Sequence, residues 1–270
     1  MNTRPLLATA ALLLLGCSVA PAQSTLADRI RSVRNGTVRL SYAVKEGICG
    51  DGESFIRDRT RGENNYISFD EGNSRYYGKG WRERPCEPGP ARVALLKSDG
   101  SVTQVRLYVG GGWGPNAGET VDLGEVAAPG AAKALLAVAA RDGRADKLIF
   151  AAVIADSAVV WPDLLAIAKN DELLKGVRRS AVFWLSQVVS DEATKGLVEL
   201  AEATGGDREV RDQAVFALSQ LPHDQGVPIL IRLAKTNQDP QVRRKAIFWL
   251  GQSDDPRALK LFEEILTEKR

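Results

Sequence analysis

The sequence predicts an α+β chain in two parts, a small, mainly antiparallel β domain followed by an α-solenoid of paired helices. Three observations carry this reading. The run Val-Arg-Arg-Ser-Ala-Val-Phe-Trp-Leu-Ser-Gln from Val177 to Gln187 recurs, with changes, from Val210 to Gln220 and from Val242 to Gln252. The spacings of 33 and 32 residues are those of stacked helix pairs. Between Ser24 and about Val126 the pattern differs, with apolar and polar residues alternating from Val38 to Val44 at the period of a half-buried strand, whereas from Pro129 onward the apolar residues fall at helical spacing. A content of 44% hydrophobic and 26% charged residues suits a folded chain.

The first 22 residues read as an export signal. Arg4 supplies a positive start, Leu6 to Gly16 a short apolar stretch, and Ala20-Pro21-Ala22 a small-x-small cleavage site. Leu14-Leu15-Gly16-Cys17 offers a second processing route, in which Cys17 is lipidated and becomes the first residue of the mature protein. Both routes predict a bacterial protein of the periplasm or cell envelope with no membrane span in its mature chain. The predicted boundaries are 1–22 for the signal, 24–126 for the β domain and 127–270 for the solenoid.

In the β domain, Leu26, Ile30 and Val33 mark a short helix ended by Asn35-Gly36. Val38, Leu40, Tyr42 and Val44 alternate with polar or small residues and predict a strand. Arg92 to Leu96, the turn Ser98-Asp99-Gly100 and Val102 to Val109 form the clearest hairpin. Shorter strands are expected near Tyr66 to Phe69 and Tyr76 to Trp81. Cys49 and Cys86, an even pair in an oxidising compartment, are expected to form a disulfide that staples this weakly hydrophobic part. The stretch from Gly110 to Pro115 is read as a connector anchored by Trp113.

Helices are predicted near 130–141, 145–156, 162–169, 174–188, 191–203, 208–220, 225–236, 241–252 and 256–268. Their breaks have local causes. Trp161-Pro162 starts a helix where no hydrogen bond is lost, and Gly205-Gly206-Asp207 and Asn237-Gln238-Asp239-Pro240 each stop one helix and cap the next.

An Asp turn followed by a Val-Arg pair announces the second helix of each unit: Asp207 with Val210-Arg211, Asp239 with Val242-Arg243 and, over a longer turn, Asp171 with Val177-Arg178. This pattern resembles HEAT repeats of the short bacterial type also seen in phycobilisome lyase-like proteins. The likeness covers about residues 130–270 and is strongest over 160–254. Leu148 to Ala155 would be a degenerate first repeat, and the helix at 256–268 a cap over an otherwise exposed apolar face. By the same resemblance, the Asp and Arg residues are expected to form ladders between neighbouring repeats. The lyase-like branch implies one enzymatic possibility, the handling of a tetrapyrrole chromophore.

At 100° per residue, Val177, Ala181, Trp184, Leu185 and Val188 share one apolar face, with small Ala181, Ala214 and Ala246 at its centre. A second stripe carries Phe183 and Gln187, Phe216 and Gln220, and Phe248 and Gln252, each pair one turn apart. Arg179 and Arg244 flank it, and Asp212 interrupts the charge between them. Two uses of the stripe are open: packing between repeats, or an exposed aromatic and amide ladder on the concave face that holds an extended peptide.

Sites of chemistry are not evident. The one histidine, His223, sits between Pro222 and Asp224, and no Gly-x-Ser-x-Gly turn accompanies a serine. Asp51-Gly52-Glu53 and Asp70-Glu71-Gly72 lack the spacing of a calcium loop, and the glycine run at 110–114 lacks the Lys-Ser or Lys-Thr of a phosphate cradle. Tyr66, Tyr76, Tyr77 and Trp81 among several arginines suit either a solvated face or contact with an anionic glycan or peptide. A formal charge of only +2 gives no global pull toward nucleic acid. The expectation is therefore a non-enzymatic protein-binding or scaffold protein of the envelope with no cofactor or metal site. An envelope hydrolase or lyase presented by the solenoid, and a structural lipoprotein anchored through Cys17, are the alternatives.

Overall fold

The computed structural model describes residues 24–53, 55–61, 66–68, 86–114, 118–142, 145–188 and 190–267. The export signal with Cys17, the acidic turn at 70–72, and Tyr76, Tyr77 and Trp81 lie outside them.

The chain begins with α1 (Leu26–Ser32) and then forms strands β1 (Gly36–Tyr42), β2 (Ile48–Gly50), β3 (Phe55–Asp58), β4 (Tyr66–Ser68), β5 (Glu87–Pro88), β6 (Ala91–Ser98), β7 (Ser101–Val109) and β8 (Thr120–Glu125). Two four-stranded sheets result, ordered β7-β6-β1-β8 and β4-β3-β2-β5. All pairings are antiparallel except β1 with β8. The predicted strand at 38–44 and the 92–109 hairpin are present, as is a strand at Tyr66. β2, β3, β5 and β8 were not anticipated.

Alternation dictates the first sheet: Val38, Leu40 and Tyr42, Val93 and Leu95, and Val105, Leu107 and Val109 are all buried. Helix α1 is fixed at both ends. Thr25 Oγ1 accepts from the Asp28 amide at 3.2 Å while Asp28 Oδ2 accepts from the Thr25 amide at 3.1 Å, and the buried Lys97 Nζ donates to the Ile30 carbonyl at 2.8 Å. On the other face of β1, Arg39 bonds Asp122 at 2.8 Å and lies 5.0 Å from the centre of the Trp113 ring.

The second sheet is stapled by the Cys49–Cys86 pair, whose sulfurs are 1.98 Å apart, at bonding distance. It meets the end of β7 through glycines. Gly52 and Gly111 approach backbone to backbone, so this part of the glycine run is packed rather than a free connector. A Cβ on Gly50 would lie 2.4 Å from the Val109 carbonyl oxygen and 2.7 Å from that of Phe55, both main-chain atoms that cannot swing aside. Gly50→Ala is expected to cost about 2 kcal/mol in urea unfolding; an unchanged midpoint would refute this account of the junction.

The solenoid comprises α2 (Ala128–Asp142), α3 (Ala145–Val153), α4 (Trp161–Lys169), α5 (Lys175–Ser186), α6 (Asp191–Glu202), α7 (Arg208–Ser219), α8 (His223–Thr236), α9 (Pro240–Leu250) and α10 (Pro256–Thr267). Consecutive helices pair as α2/α3, α4/α5, α6/α7 and α8/α9, and the second members α3, α5, α7 and α9 stack on one another as one layer. Ala181, Ala214 and Ala246 are fully buried, consistent with their place at the centre of the apolar face. The pair α2/α3 is the first of the stack. Its second helix stops at Val153 because the chain turns to meet the sheet: Val44 bridges Ala155, the Lys45 amide donates to the Ile154 carbonyl at 2.9 Å, and the Asp156 amide to that of Ala43 at 3.0 Å. Tyr42 Oη, fully buried, donates to the Ala151 carbonyl at 2.7 Å, and burial pushes its phenol above the usual range. Sheet and solenoid thus share one continuous apolar core. At the far end α10 packs against α8, and its Ala258 and Leu261 are buried.

Candidate functional site

The repeated residues separate into layers of use. Arg178, in α5, donates to Asp171 at 2.6 Å within its own repeat and to Asp207 of the next at 3.2 Å. Arg211 does the same one repeat on, reaching Asp239 at 3.3 Å and the Gly205 and Gly206 carbonyls behind it. Arg243 donates to the carbonyls of Asn237 and Gln238. Asp207 and Asp239 also cap α7 and α9, accepting from the Glu209 and Gln241 amides at 2.9 and 2.8 Å. The Glu209 amide, with Lys175 and Arg178 nearby, holds the Asp207 carboxyl below its usual value. These residues clamp repeat to repeat. A second set of clamps, not foreseen, ties the first members of the pairs: Lys169–Glu199 at 2.6 Å, Arg232–Glu202, and Lys235–Glu264 at 2.6 Å.

The Phe and Gln stripe is not uniform. Phe150 packs on Trp184 with ring centres 5.1 Å apart, and Phe216 packs on Trp249 at 4.9 Å, so each ring leans on the indole of the next repeat. Phe183 has no such indole, because the corresponding residue is Ala217. It meets only the edge of its own neighbour Trp184 and stays 41% exposed. Phe248 likewise meets only Trp249 and is 54% exposed. Gln187 and Gln220 turn back to the hydroxyls of Ser186 and Ser219, both at 3.1 Å. Gln252 and Arg244 are exposed.

Between α5, α7 and α9 lies an open cleft of about 300 Å³ lined by Arg179, Glu209, Asp212, Gln213, Phe216, Lys245 and Trp249. Of the stripe and its flanks, it gathers Arg179, Asp212 and Phe216. Phe183, Gln187, Gln220, Arg244, Phe248 and Gln252 are not among its lining residues. Glu209 and Gln213 precede Phe216 by seven and three residues, and Lys245 precedes Trp249 by four. That spacing puts them on one helix face and is the signal that would have found them. Two ion pairs cross the cleft, Arg179–Glu209 at 3.2 Å and Asp212–Lys245 at 3.5 Å, while the Phe216–Trp249 pair forms its apolar wall. Pairs so exposed contribute about 0–1 kcal/mol each, so their charges are open to exchange with those of an incoming group.

His223 begins α8 rather than sitting in a turn. Its side chain is exposed, and its carbonyl accepts from Arg257 at 2.8 Å. Asp51 forms a turn of its own, with Oδ1 accepting from the Glu53 and Phe55 amides. Among the described residues, no group of three or more His, Cys, Asp or Glu side chains is placed to hold a metal ion, and no helix is long and apolar enough to cross a membrane.

The family model for HEAT repeats matches residues 197–270, from within α6 through α10. No curated protein matches the chain. HEAT repeats suggest a protein-interaction scaffold. The inter-repeat Arg–Asp clamps and the paired helices agree with that match: residues 197–270 are similar to HEAT repeats, in a stack that the preceding helix pairs share.

Proposed function

We propose that this is an exported, non-enzymatic scaffold of the bacterial cell envelope that binds a protein or peptide on the layer formed by α3, α5, α7 and α9. The observation that carries the binding surface is the cleft between α5, α7 and α9, together with the exposed rings of Phe183 on α5 and Phe248 on α9. A rigid wall of aromatic groups beside weakly held charges suits a partner that brings both an apolar side chain and polar groups to re-pair. The signal-like first 22 residues and the cysteine pair support export.

The test uses the full chain expressed in a bacterium with its signal intact and captured from envelope extract. Phe183→Ser with Phe248→Ser, and separately Glu209→Lys with Lys245→Glu, are expected to reduce the captured partner at least about tenfold while leaving the unfolding midpoint within error. A partner retained equally by both variants rules out this surface. Mass spectrometry of the purified chain is expected to show an end at Gln23 or a lipidated Cys17; an intact Met1 overturns the export reading.

A further inference from the structure

The charges around the cleft between α5, α7 and α9 do not balance. Four cations share two carboxylates there: Glu209 takes Lys175 and Arg179, both at 3.2 Å, and Asp212 takes Lys245 at 3.5 Å and Arg208 at 4.0 Å. Lys175 also lies 3.5 Å from Asp207, but Arg178 already holds that carboxylate at 3.2 Å. Arg244 on α9 is exposed and in no ion pair among the described residues. This layer therefore carries a surplus of three positive charges over Glu209 and Asp212. In the clamps between the first members of the pairs there is no such sharing, since Lys169, Arg232 and Lys235 each meet one glutamate.

We infer, resting on the reading of this cleft as the binding surface, that its partner is an acidic peptide segment, an extended stretch with carboxylates on either side of an apolar side chain. The apolar side chain packs on the wall of Phe216 and Trp249, and the carboxylates take up the cations that Glu209 and Asp212 now share. The order of the charges favours a peptide over a nucleic acid or other polyanion. Arg179, Asp212 and Arg244 hold the same place in successive repeats, so the positive surface is interrupted at its middle. A polymer with a phosphate at every link sets part of its charge against Asp212, whereas a peptide places its acidic residues to the sides and an apolar one between them. The surplus also draws an acidic segment in from a distance, an attraction that salt weakens.

Selection of heptapeptides from a random displayed library on the immobilised full chain tests this. The enriched sequences are expected to carry at least two Asp or Glu residues around an apolar one. A synthetic copy of the most enriched sequence, followed by fluorescence anisotropy, is expected to bind Arg179→Gln with Lys245→Gln at least about tenfold more weakly, and its Kd is expected to rise with salt. The unfolding midpoint is expected to stay close to that of the wild type, because exposed pairs contribute little. Inorganic polyphosphate at equal charge is expected not to displace the peptide. A library that enriches nothing, or polyphosphate that competes as well as the peptide, overturns the inference. Enriched sequences without acidic residues that Phe183→Ser with Phe248→Ser no longer binds overturn the acidic partner alone and leave the cleft as the binding surface. Acidic sequences that both pairs of substitutions bind as the wild type does overturn the two readings together.

Discussion

Cys49→Ser with Cys86→Ser is expected to lower the stability of the chain by about 4 kcal/mol, the loop-closure value for residues 37 apart. The figure is large because of where the pair sits. β2 has three residues and β5 two, and they meet through two register pairs, Cys49 with Pro88 and Gly50 with Glu87. Strands so short have few ladder hydrogen bonds to hold them. The disulfide fixes Cys49 of β2 beside the residue that leads into β5, where the hydrogen bonds alone are too few. Equilibrium urea unfolding of the wild type with and without reductant, beside the double serine variant, measures it. Reduced wild type and variant are expected to share a lowered midpoint, and coincidence of all three curves would contradict the prediction.

Asp171→Asn with Asp207→Asn is expected to produce the other large loss. The substitution keeps a capping side chain at the start of α7, because asparagine caps as well as aspartate. It leaves the guanidinium of Arg178, 8% exposed, without a carboxylate. A buried charge stranded in this way costs about 3 kcal/mol or more. Adding Arg178→Met to the same chain is expected to recover part of the loss, since an apolar side chain of similar length removes the stranded charge. Asp239→Asn is expected to cost less, because both Arg211 and Asp239 are more exposed than Arg178. A double variant as stable as the wild type, or no recovery with methionine, would show that the clamp does not hold these repeats together.

Much of the solenoid was legible because its forces repeat. The apolar positions of α5, α7 and α9 recur at one spacing, the Asp caps precede them, and Pro162 and Pro240 mark starts that cannot lie elsewhere. The second sheet was not legible. Ile48-Cys49-Gly50 is too short to show alternation, and it becomes a strand by pairing with β3 close by and with β5 much farther along the chain. β8 escaped for a different reason: its residues are mostly exposed at a sheet edge, so no alternation of burial was written into Thr120–Glu125, and its parallel partner β1 lies some eighty residues back. The cleft was half legible. Arg179 and Phe216 stand in the repeated run itself, whereas Gln213 and Lys245 share the place of Ser180 in successive repeats but differ from it in kind. A repeat protein builds its common frame from what stays the same and its individual surface from what changes.

The knot of bonds among Tyr42, Lys45, Ile154 and Asp156 gives the stack two unlike ends. Where β1 meets α3, opening one repeat also requires breaking contacts made more than a hundred residues away, so that end gives way only with the sheet. At α10 the neighbours are few and local, and each helix pair leans only on the one before it. Hydrogen exchange is therefore expected to be slower in α3, which opens only with the sheet, than in α10, whose contacts are with its neighbours in the stack.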